Sequence, residues 1–172
     1  MKRRWLALMM PGNGSGVSAV QPHWTIFVAT VLATTRTVAV IVDASVALKW
    51  VIEEDGSTAA RRLIEDEELV APDLIFIECA NALWAKVRRR QIARSDAMAA
   101  FAAIEAAPIS SVPSRAHAAS AQAIAFELEQ TAYGSLYLAV ALAERAKLVT
   151  ADEVFARAAL AHPVYRDSVR LL

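Results

Sequence analysis

The sequence predicts an α/β protein of three layers, in which helices cover both faces of a central parallel sheet. Short β-branched runs such as Val38–Val42 alternate along the chain with longer segments whose apolar residues recur at helical spacing. This alternation is typical of parallel sheets, because parallel neighbours need a crossover between them. The hydrophobic content is 56%, much of it alanine, which favours helices and argues against disorder.

The individual elements follow from local patterns in chain order. Apolar runs closed by a polar residue or proline predict strands at Val38–Val42, Leu69–Ala71, Ile109–Val112, Leu148–Thr150 and Val169–Leu171, the last at an edge. Helical spacing predicts helices at 45–51, 56–65, 73–90, 95–106, 117–128 and 133–145, with a last helix from about residue 152. We see no internal repeat.

One predicted helix, 73–90, presents two different faces. Its apolar residues recur at helical spacing and predict a packed face made of Phe76, Ala80, Leu83 and Val87. Glu78 and Asn81 lie three residues apart on another face, where they are free to present polar groups. Asp73 is the expected N-cap of this helix, and Ser95 that of the next one.

The length of 172 residues suits one ordinary domain with a sizeable core. Residues 1–37 contain a Gly/Ser-rich stretch and no sustained period, so we predict an N-terminal extension that is either flexible or the result of a misassigned start. The domain is then expected to cover residues 38–172. Its motifs all lie in that part of the chain.

The bulk composition excludes several classes of protein. Lys+Arg and Asp+Glu are equal at 18 each, so any contact with nucleic acid must come from a local patch. Cys79 is the only cysteine, which rules out an intrachain disulfide and fits a reducing cytoplasm. No apolar run reaches the roughly 18–20 residues that a membrane helix needs, so we expect a cytoplasmic protein without a membrane partner.

Three acidic residues stand at the ends of short apolar runs. Asp43 follows Val38–Val42, Glu78 follows Ile75–Ile77, and Asp152 follows the run that begins at Leu148. Ligands of α/β proteins bind at the carboxyl ends of the strands, and clustered acids are stable together only with a cation or a shared proton. The pattern therefore indicates a divalent metal site for Mg²⁺ or Mn²⁺, which prefer oxygen ligands.

Each acid also has a simpler interpretation that the sequence leaves open. Asp43 and Asp152 are well placed to be helix N-caps, and Glu78 to form a salt bridge with an arginine. Three polar residues are candidates to support the acids: Ser45, Asn81 and Thr150. Ser45 is placed to orient Asp43, although it also suits a cap.

Four basic residues crowd the end of the predicted helix 73–90. They are Lys86, Arg88, Arg89 and Arg90. Cations are favoured at helix C-termini by the helix dipole, which is the simpler explanation. The alternative is a patch that contacts RNA phosphates.

Four segments carry a family resemblance. VIVDASVALKW (residues 40–50) resembles the opening of a PIN-domain ribonuclease, and more narrowly the VapC-type toxin of a VapBC toxin–antitoxin pair. IECANALW (77–84) is similar to the second motif of that family and contains Glu78. AYGSLYLAVAL (132–142) is similar to the third, and LVTADEVF (148–155) to the fourth. Together they cover the chain from about Val38 to its end.

The resemblance implies a PIN-like α/β/α domain that hydrolyses RNA phosphodiester bonds with Mg²⁺ or Mn²⁺. It implies that Asp43 and Asp152 bind or position the metal and that Glu78 directs a metal-bound water. It also implies a small antitoxin partner and a toxin homodimer. Two other classes stay open: a PIN-fold module that binds an antitoxin without catalysis, and an aspartyl-phosphate phosphatase. The latter chemistry resembles a motif with an Asp where this chain has Ser45.

Gly134 departs from the family pattern, which has an acid at this position of the third motif. A glycine side chain binds no metal, so we expect weakened metal binding and weak or absent cleavage. Nothing in the local sequence requires a glycine. We therefore expect that Gly134→Asp is compatible with folding, because Asp is favourable in the first turn of a helix.

Overall fold

The centre of the protein is a sheet of five parallel strands. The computed structural model describes residues 38–172 and gives the strand order β3-β2-β1-β4-β5, with every neighbouring pair parallel. The strands are β1 (Val38–Val42), β2 (Glu67–Pro72), β3 (Ile109–Val112), β4 (Lys147–Thr150) and β5 (Val169–Leu171). The predicted fold class, the parallel sheet and the edge position of the last strand are confirmed.

Helices cover both faces of this sheet. The described part of the chain contains α1 (Ala44–Val51), α2 (Ser57–Asp66), α3 (Leu74–Arg88), α4 (Arg94–Glu105), α5 (Ala118–Leu128), α6 (Ala132–Glu144) and α7 (Glu153–Ala161), with short 3₁₀ turns at Ser114–His117 and Arg166–Ser168. Helices α1 to α4 contact one another, whereas α5 packs on α6 and α6 contacts β1, β2 and β4. Right-handed crossovers place α1–α4 on one face and α5–α7 on the other.

The two central strands are the most apolar because both of their faces are covered. Ile41 and Val42 of β1 and Val149 of β4 have no exposed surface. Continuous runs of this kind are typical of parallel strands that are buried on both sides. The edge strand β3, by contrast, exposes Ser110 and Ser111.

The strand order reverses between β1 and β4. The chain steps outward from β1 to β2 and β3, then returns over the sheet and adds β4 on the other side of β1. The register pairs Val42 with Val149, so the residues that follow these two strands leave the sheet side by side. Such a reversal opens a crevice at the carboxyl ends of the strands, which is where α/β proteins bind their ligands.

The predicted helix boundaries agree closely with the structure, but the packed face of α3 does not. Each predicted start lies within one residue of the observed start, and each predicted end within two. In α3, however, the fully buried residues are Ile75, Cys79 and Leu83. Of the four residues predicted for this face, only Leu83 is fully buried, because the helix is rotated by about one residue relative to the predicted orientation.

Neither predicted cap makes the expected capping bond. Asp73 stands at the N-cap position of α3 but caps it with no side-chain hydrogen bond. Its carboxylate instead accepts hydrogen bonds from the Ser114 backbone N–H, at 3.0 Å, and from the Ser114 hydroxyl. Helix α4 begins at Arg94 and contains Ser95. At Asp73, a contact with the turn after β3 replaces the local capping bond.

Two expectations concern the chain as a whole. The predicted extension, residues 1–37, lies outside the described residues. Between residues 38 and 172, no helix combines the length and the apolar character needed to cross a bilayer.

Helix α3 offers a direct test of the packing. Ile75 is fully buried, whereas Ile77 is 68% exposed on the same helix. Ile75→Ala should lower the free energy of unfolding by about 2–5 kcal/mol, since it leaves a cavity in the core. Ile77→Ala should change it by no more than about 0.5 kcal/mol. Urea unfolding of both variants checks this, and equal losses would contradict the packing described for α3.

Candidate active site

Asp43 stands at the carboxyl end of β1, and its carboxylate is held by three hydrogen bonds. Oδ1 accepts from the Ser45 hydroxyl at 2.6 Å and from the Val46 backbone N–H at 3.1 Å. Oδ2 accepts from the Thr150 hydroxyl at 2.5 Å. Asp43 is therefore the N-cap of α1, as the simpler interpretation of the sequence supposed. The two hydroxyl contacts go beyond capping.

Ser45 and Thr150 connect the ends of β1 and β4. Each hydroxyl donates to Asp43 and accepts a backbone N–H from the segment that follows β4. The Ala151 N–H donates to Ser45 Oγ at 2.8 Å, and the Asp152 N–H donates to Thr150 Oγ1 at 3.0 Å. Thr150 is completely buried, so its hydroxyl needs such partners. We call the two connections, from Asp43 through Ser45 to Ala151 and from Asp43 through Thr150 to Asp152, the hydroxyl bridges. They fix Asp43 relative to the backbone of Asp152.

Asp152 uses one carboxylate oxygen to begin α7. Its Oδ1 accepts from the backbone N–H groups of Val154 at 2.9 Å and Phe155 at 3.0 Å, which makes it the N-cap of that helix. Its Oδ2 accepts no hydrogen bond from the described residues. One oxygen of this carboxylate therefore remains able to bind a ligand.

Glu78 approaches Asp43 from α3, which covers the face of the sheet opposite to α6 and α7. It lies in the second turn of α3, half-buried, and its Oε2 accepts a hydrogen bond from the hydroxyl of Tyr137 on α6. The sequence suggested an arginine partner instead, and no ion pair of Glu78 exists within residues 38–172. Tyr137 is 2% exposed. Its hydroxyl is the only polar side-chain group in the apolar segment LYLAVAL (136–142), and this was the one feature of the sequence that could have pointed to it as a partner.

Burial and mutual repulsion raise the pKa of two of the carboxyls. The pKa of Asp43 is raised by burial and, to a smaller degree, by the charge of Asp152, although its hydroxyl bonds act in the opposite direction. The pKa of Glu78 is raised by burial and by the charge of Asp43, while the Tyr137 hydrogen bond lowers it. None of the ion pairs in the described chain involves these three acids, so their repulsion is not offset by a Lys or Arg.

These residues suit a hard divalent cation, although they are not preassembled around one. Among the described residues, no group of three or more His, Cys, Asp or Glu side chains is placed to hold a metal ion. Asp43 and Asp152 are nevertheless joined through the hydroxyl bridges, and the charge of Asp43 acts on the pKa of Glu78. Mg²⁺ commonly binds one or two carboxylates and keeps several waters, so this donor set fits it.

A thiolate does not belong to this donor set. Cys79 follows Glu78 but is fully buried on the packed side of α3. Burial raises the pKa of its thiol to about 12, so the thiol stays protonated near neutral pH.

The remaining supporting residue, Asn81, lies on the exposed side of α3. It stands three residues after Glu78, and its side chain makes no hydrogen bond with the described part of the protein. Its supporting role stays a prediction.

The four basic residues at the end of α3 differ in their surroundings. Lys86 forms an ion pair with Glu54, which occupies its charge. The guanidinium of Arg88 lies 5.2 Å from the ring centre of Trp84, while Arg89 and Arg90 are exposed. Three of the four are thus accessible to an RNA phosphate.

Gly134 is required by its surroundings, contrary to the sequence-based expectation. A Cβ atom at this position would lie 2.8 Å from Cδ2 and 3.1 Å from Cε2 of the Phe155 ring. Phe155 is 4% exposed, so its ring has little room to move. This close approach between α6 and α7 was not visible in the local sequence, and it argues against the expectation that Gly134→Asp is compatible with folding.

Comparisons with known proteins agree with this architecture. A sequence model of the PIN domain matches residues 40–160. The crystal structure of PAE2754 from Pyrobaculum aerophilum superposes with a TM-score of 0.55 at 22% identity, covering 70% of this chain and 79% of that one. A comparison with curated protein sequences finds no match.

The raised pKa of Glu78 leads to a pH-dependent stability. Its folded pKa lies above the ordinary value of 4.5, so the folded state binds more protons than the unfolded state as the pH rises past that value. Ionisation of Glu78 therefore costs stability with rising pH. Glu78→Gln removes this cost but keeps an oxygen for Tyr137. The variant should gain stability relative to the natural protein between about pH 4 and about pH 7.

Urea unfolding of both proteins across this pH range, in the presence of EDTA, measures the difference. Glu105→Gln, an exposed acid on α4, is the control for the loss of a charge. A difference between Glu78→Gln and the natural protein that stays constant or shrinks with pH would contradict the burial of this carboxyl.

Proposed function

This chain belongs to the PIN domain family, and on that premise we propose that it is a metal-dependent endoribonuclease, the toxin of a type II toxin–antitoxin pair. Membership of the family indicates a nuclease. The observation that carries the proposal is the joining of Asp43 and Asp152 by the hydroxyl bridges at the reversal of strand order. This is the place where α/β folds bind ligands, and here it presents acids without cationic partners.

Asp43 and Asp152 are the proposed metal-binding residues. Asp43 is anchored through both of its oxygens by hydroxyl groups. Its Oδ1 accepts from Ser45 and Val46, whereas Oδ2 accepts only from Thr150 and keeps a further lone pair. Asp152 keeps Oδ2, since only its Oδ1 caps α7. Bound Mg²⁺ or Mn²⁺ would supply an activated water and stabilise the charge that develops on the phosphate. The metal requirement explains why carboxylates are held together here despite their repulsion.

Glu78 is the proposed acceptor of a proton from the attacking water. The Tyr137 hydroxyl holds its Oε2, whereas Oε1 accepts no hydrogen bond from the described residues. Burial of Tyr137 and the neighbouring charge of Glu78 raise the pKa of the phenol, so it remains a donor. The raised pKa of Glu78 brings that carboxyl closer to the range in which a general base works best.

The basic end of α3 is the proposed contact for the RNA backbone. Arg88 lies ten residues after Glu78 on the same helix, which corresponds to about 15 Å of helical rise. Arg88, Arg89 and Arg90 are exposed, and arginine suits phosphate oxygens well. An RNA strand that leaves the acidic residues along α3 would meet these side chains. Lys86 contributes less, since it is paired with Glu54.

The proposal includes a small antitoxin and a homodimer as protein partners. Both come from the resemblance of the four sequence segments. Exposed apolar side chains on α3, Ile77 and Trp84, offer a surface for such a contact. Ile77 lies beside Glu78, so a partner seated there would also cover the entrance to the acids.

Cleavage of a labelled single-stranded RNA in Mg²⁺ or Mn²⁺ tests the proposal. The natural protein should cleave at a low rate, since Gly134 supplies no acid, and EDTA should stop the cleavage. Asp43→Asn keeps an oxygen for the α1 cap but removes the charge. It should lower the cleavage rate by roughly 100-fold or more, since losing a group that only positions a metal ligand already costs about 10–100-fold.

The matched control is Glu68→Gln. Glu68 is an exposed acid near the amino end of β2, at the edge of the sheet opposite to Asp43. This variant should cleave at the natural rate. An Asp43→Asn protein that cleaves as fast as the natural one would overturn the proposal. A natural protein that binds Mn²⁺ but cleaves no RNA would instead be a binding module without catalysis.

A further inference from the structure

Gly134 and Phe155 touch across the gap between α6 and α7. A Cβ atom added to the backbone of residue 134 would meet ring atoms of Phe155 at 2.8, 3.1 and 3.4 Å. Distances below about 3.0 Å essentially do not occur between real Cβ atoms and their neighbours, so either residue 134 or the ring would have to move. The ring is buried, and Phe155 belongs to the helix that Asp152 caps.

Position 134 is also near two residues that make hydrogen bonds with the acids. It lies one helical turn before Tyr137, whose hydroxyl contacts Glu78. On the other side it faces Phe155, whose backbone N–H donates to Asp152. A side chain at position 134 would therefore grow from the region between Glu78 and Asp152. The Phe155 ring occupies the space that the first side-chain atoms of residue 134 would need.

We propose that Phe155 fills the place of a side chain at position 134, and that this Gly134–Phe155 pair keeps a further carboxylate out of the site of Asp43, Glu78 and Asp152. The inference deepens the proposed function and rests on it, since it concerns the number of ligands at the same site. It has a direct consequence: a fourth carboxylate cannot be introduced by Gly134→Asp alone. It requires a smaller residue at position 155.

The contact between Gly134 and Phe155 also determines how closely α7 approaches α6. With no Cβ on α6, the first turn of α7 approaches closely enough for the ring to lie against the Gly134 backbone. Asp152 caps α7 through the Phe155 N–H, so a displacement of Phe155 would also move Asp152 relative to α6. Phe155 is thus a positioning residue, since it acts through the helix that carries Asp152.

A set of variants separates the steric effect from the effect of the carboxylate. Gly134→Asp and Gly134→Ala each add a Cβ, so both should lower Tm by roughly 2–10 °C through overpacking. Phe155→Val removes the ring atoms that cause the overlap. Combining it with either substitution at 134 should give a smaller loss of Tm than the sum of the two single losses. Phe155→Leu serves in the same way if the Val variant fails to fold.

Mn²⁺ affinity, measured by calorimetry, gives the second readout. Gly134→Asp combined with Phe155→Val should bind Mn²⁺ about 10-fold or more tightly than the natural protein, because it gains a ligand. Gly134→Ala combined with Phe155→Val is the matched control, since it relieves the overlap without adding a carboxylate. Its Mn²⁺ affinity should equal that of the Phe155→Val single variant, because it adds no ligand.

Two results would overturn the inference. The first is a natural Tm for both single substitutions at position 134, which would show that no overlap exists. The second is equal Mn²⁺ affinity of the Asp and Ala double variants, which would show that position 134 does not face the cation. If the natural protein binds no Mn²⁺ at all, the proposed function fails, whereas the coupling in Tm still decides whether the two residues compete for space.

Discussion

The hydroxyl bridges made by Ser45 and Thr150 are the contacts on which the candidate site depends. Each hydroxyl is both a donor to Asp43 and an acceptor of a backbone N–H after β4. Because of these contacts, the neighbouring strands β1 and β4 hold Asp43 at a defined position relative to Asp152. A hydrophobic sheet alone would bring the strand ends together but would leave the acids free to turn away from each other. Buried hydroxyl groups prevent this, because they need both partners.

The electrostatics of the site work against the stability of the fold. Burial raises the pKa values of Asp43 and Glu78; the charge of Asp152 raises that of Asp43 further, and the charge of Asp43 raises that of Glu78. Elsewhere in the described chain, acids pair with cations, as Glu54 does with Lys49 and Lys86. The three acids of the site form no ion pair with a Lys or Arg among the described residues. The apolar core under it, with Ile41, Val149 and their neighbours fully buried, supplies the stability that allows the repulsion to persist.

The sequence was sufficient for the fold because the relevant signals are periodic and local. Apolar runs and helical spacing gave all five strands and seven helices of the described chain, and the acids after β1 and β4 follow from parallel topology. The sequence could not reveal Tyr137 as the partner of Glu78, because that contact joins helices on opposite faces of the sheet. Phe155 was missed because its close approach to Gly134 joins two separate helices, α6 and α7, that lie side by side on one face. A glycine looks replaceable in sequence until the neighbouring helix is known.

The distance along the chain between the two ends of the site has a consequence for protein synthesis. Thr150 and Asp43 are 107 residues apart, and β1 is made first while β4 follows almost at the end. At a translation rate of about 5–20 residues per second, roughly 5–20 s separate the two segments. During that time the nascent chain carries Asp43 without the strand that completes its surroundings. The hydrogen bonds that join Asp43 to the residues after β4 therefore form only when translation of the domain is nearly finished.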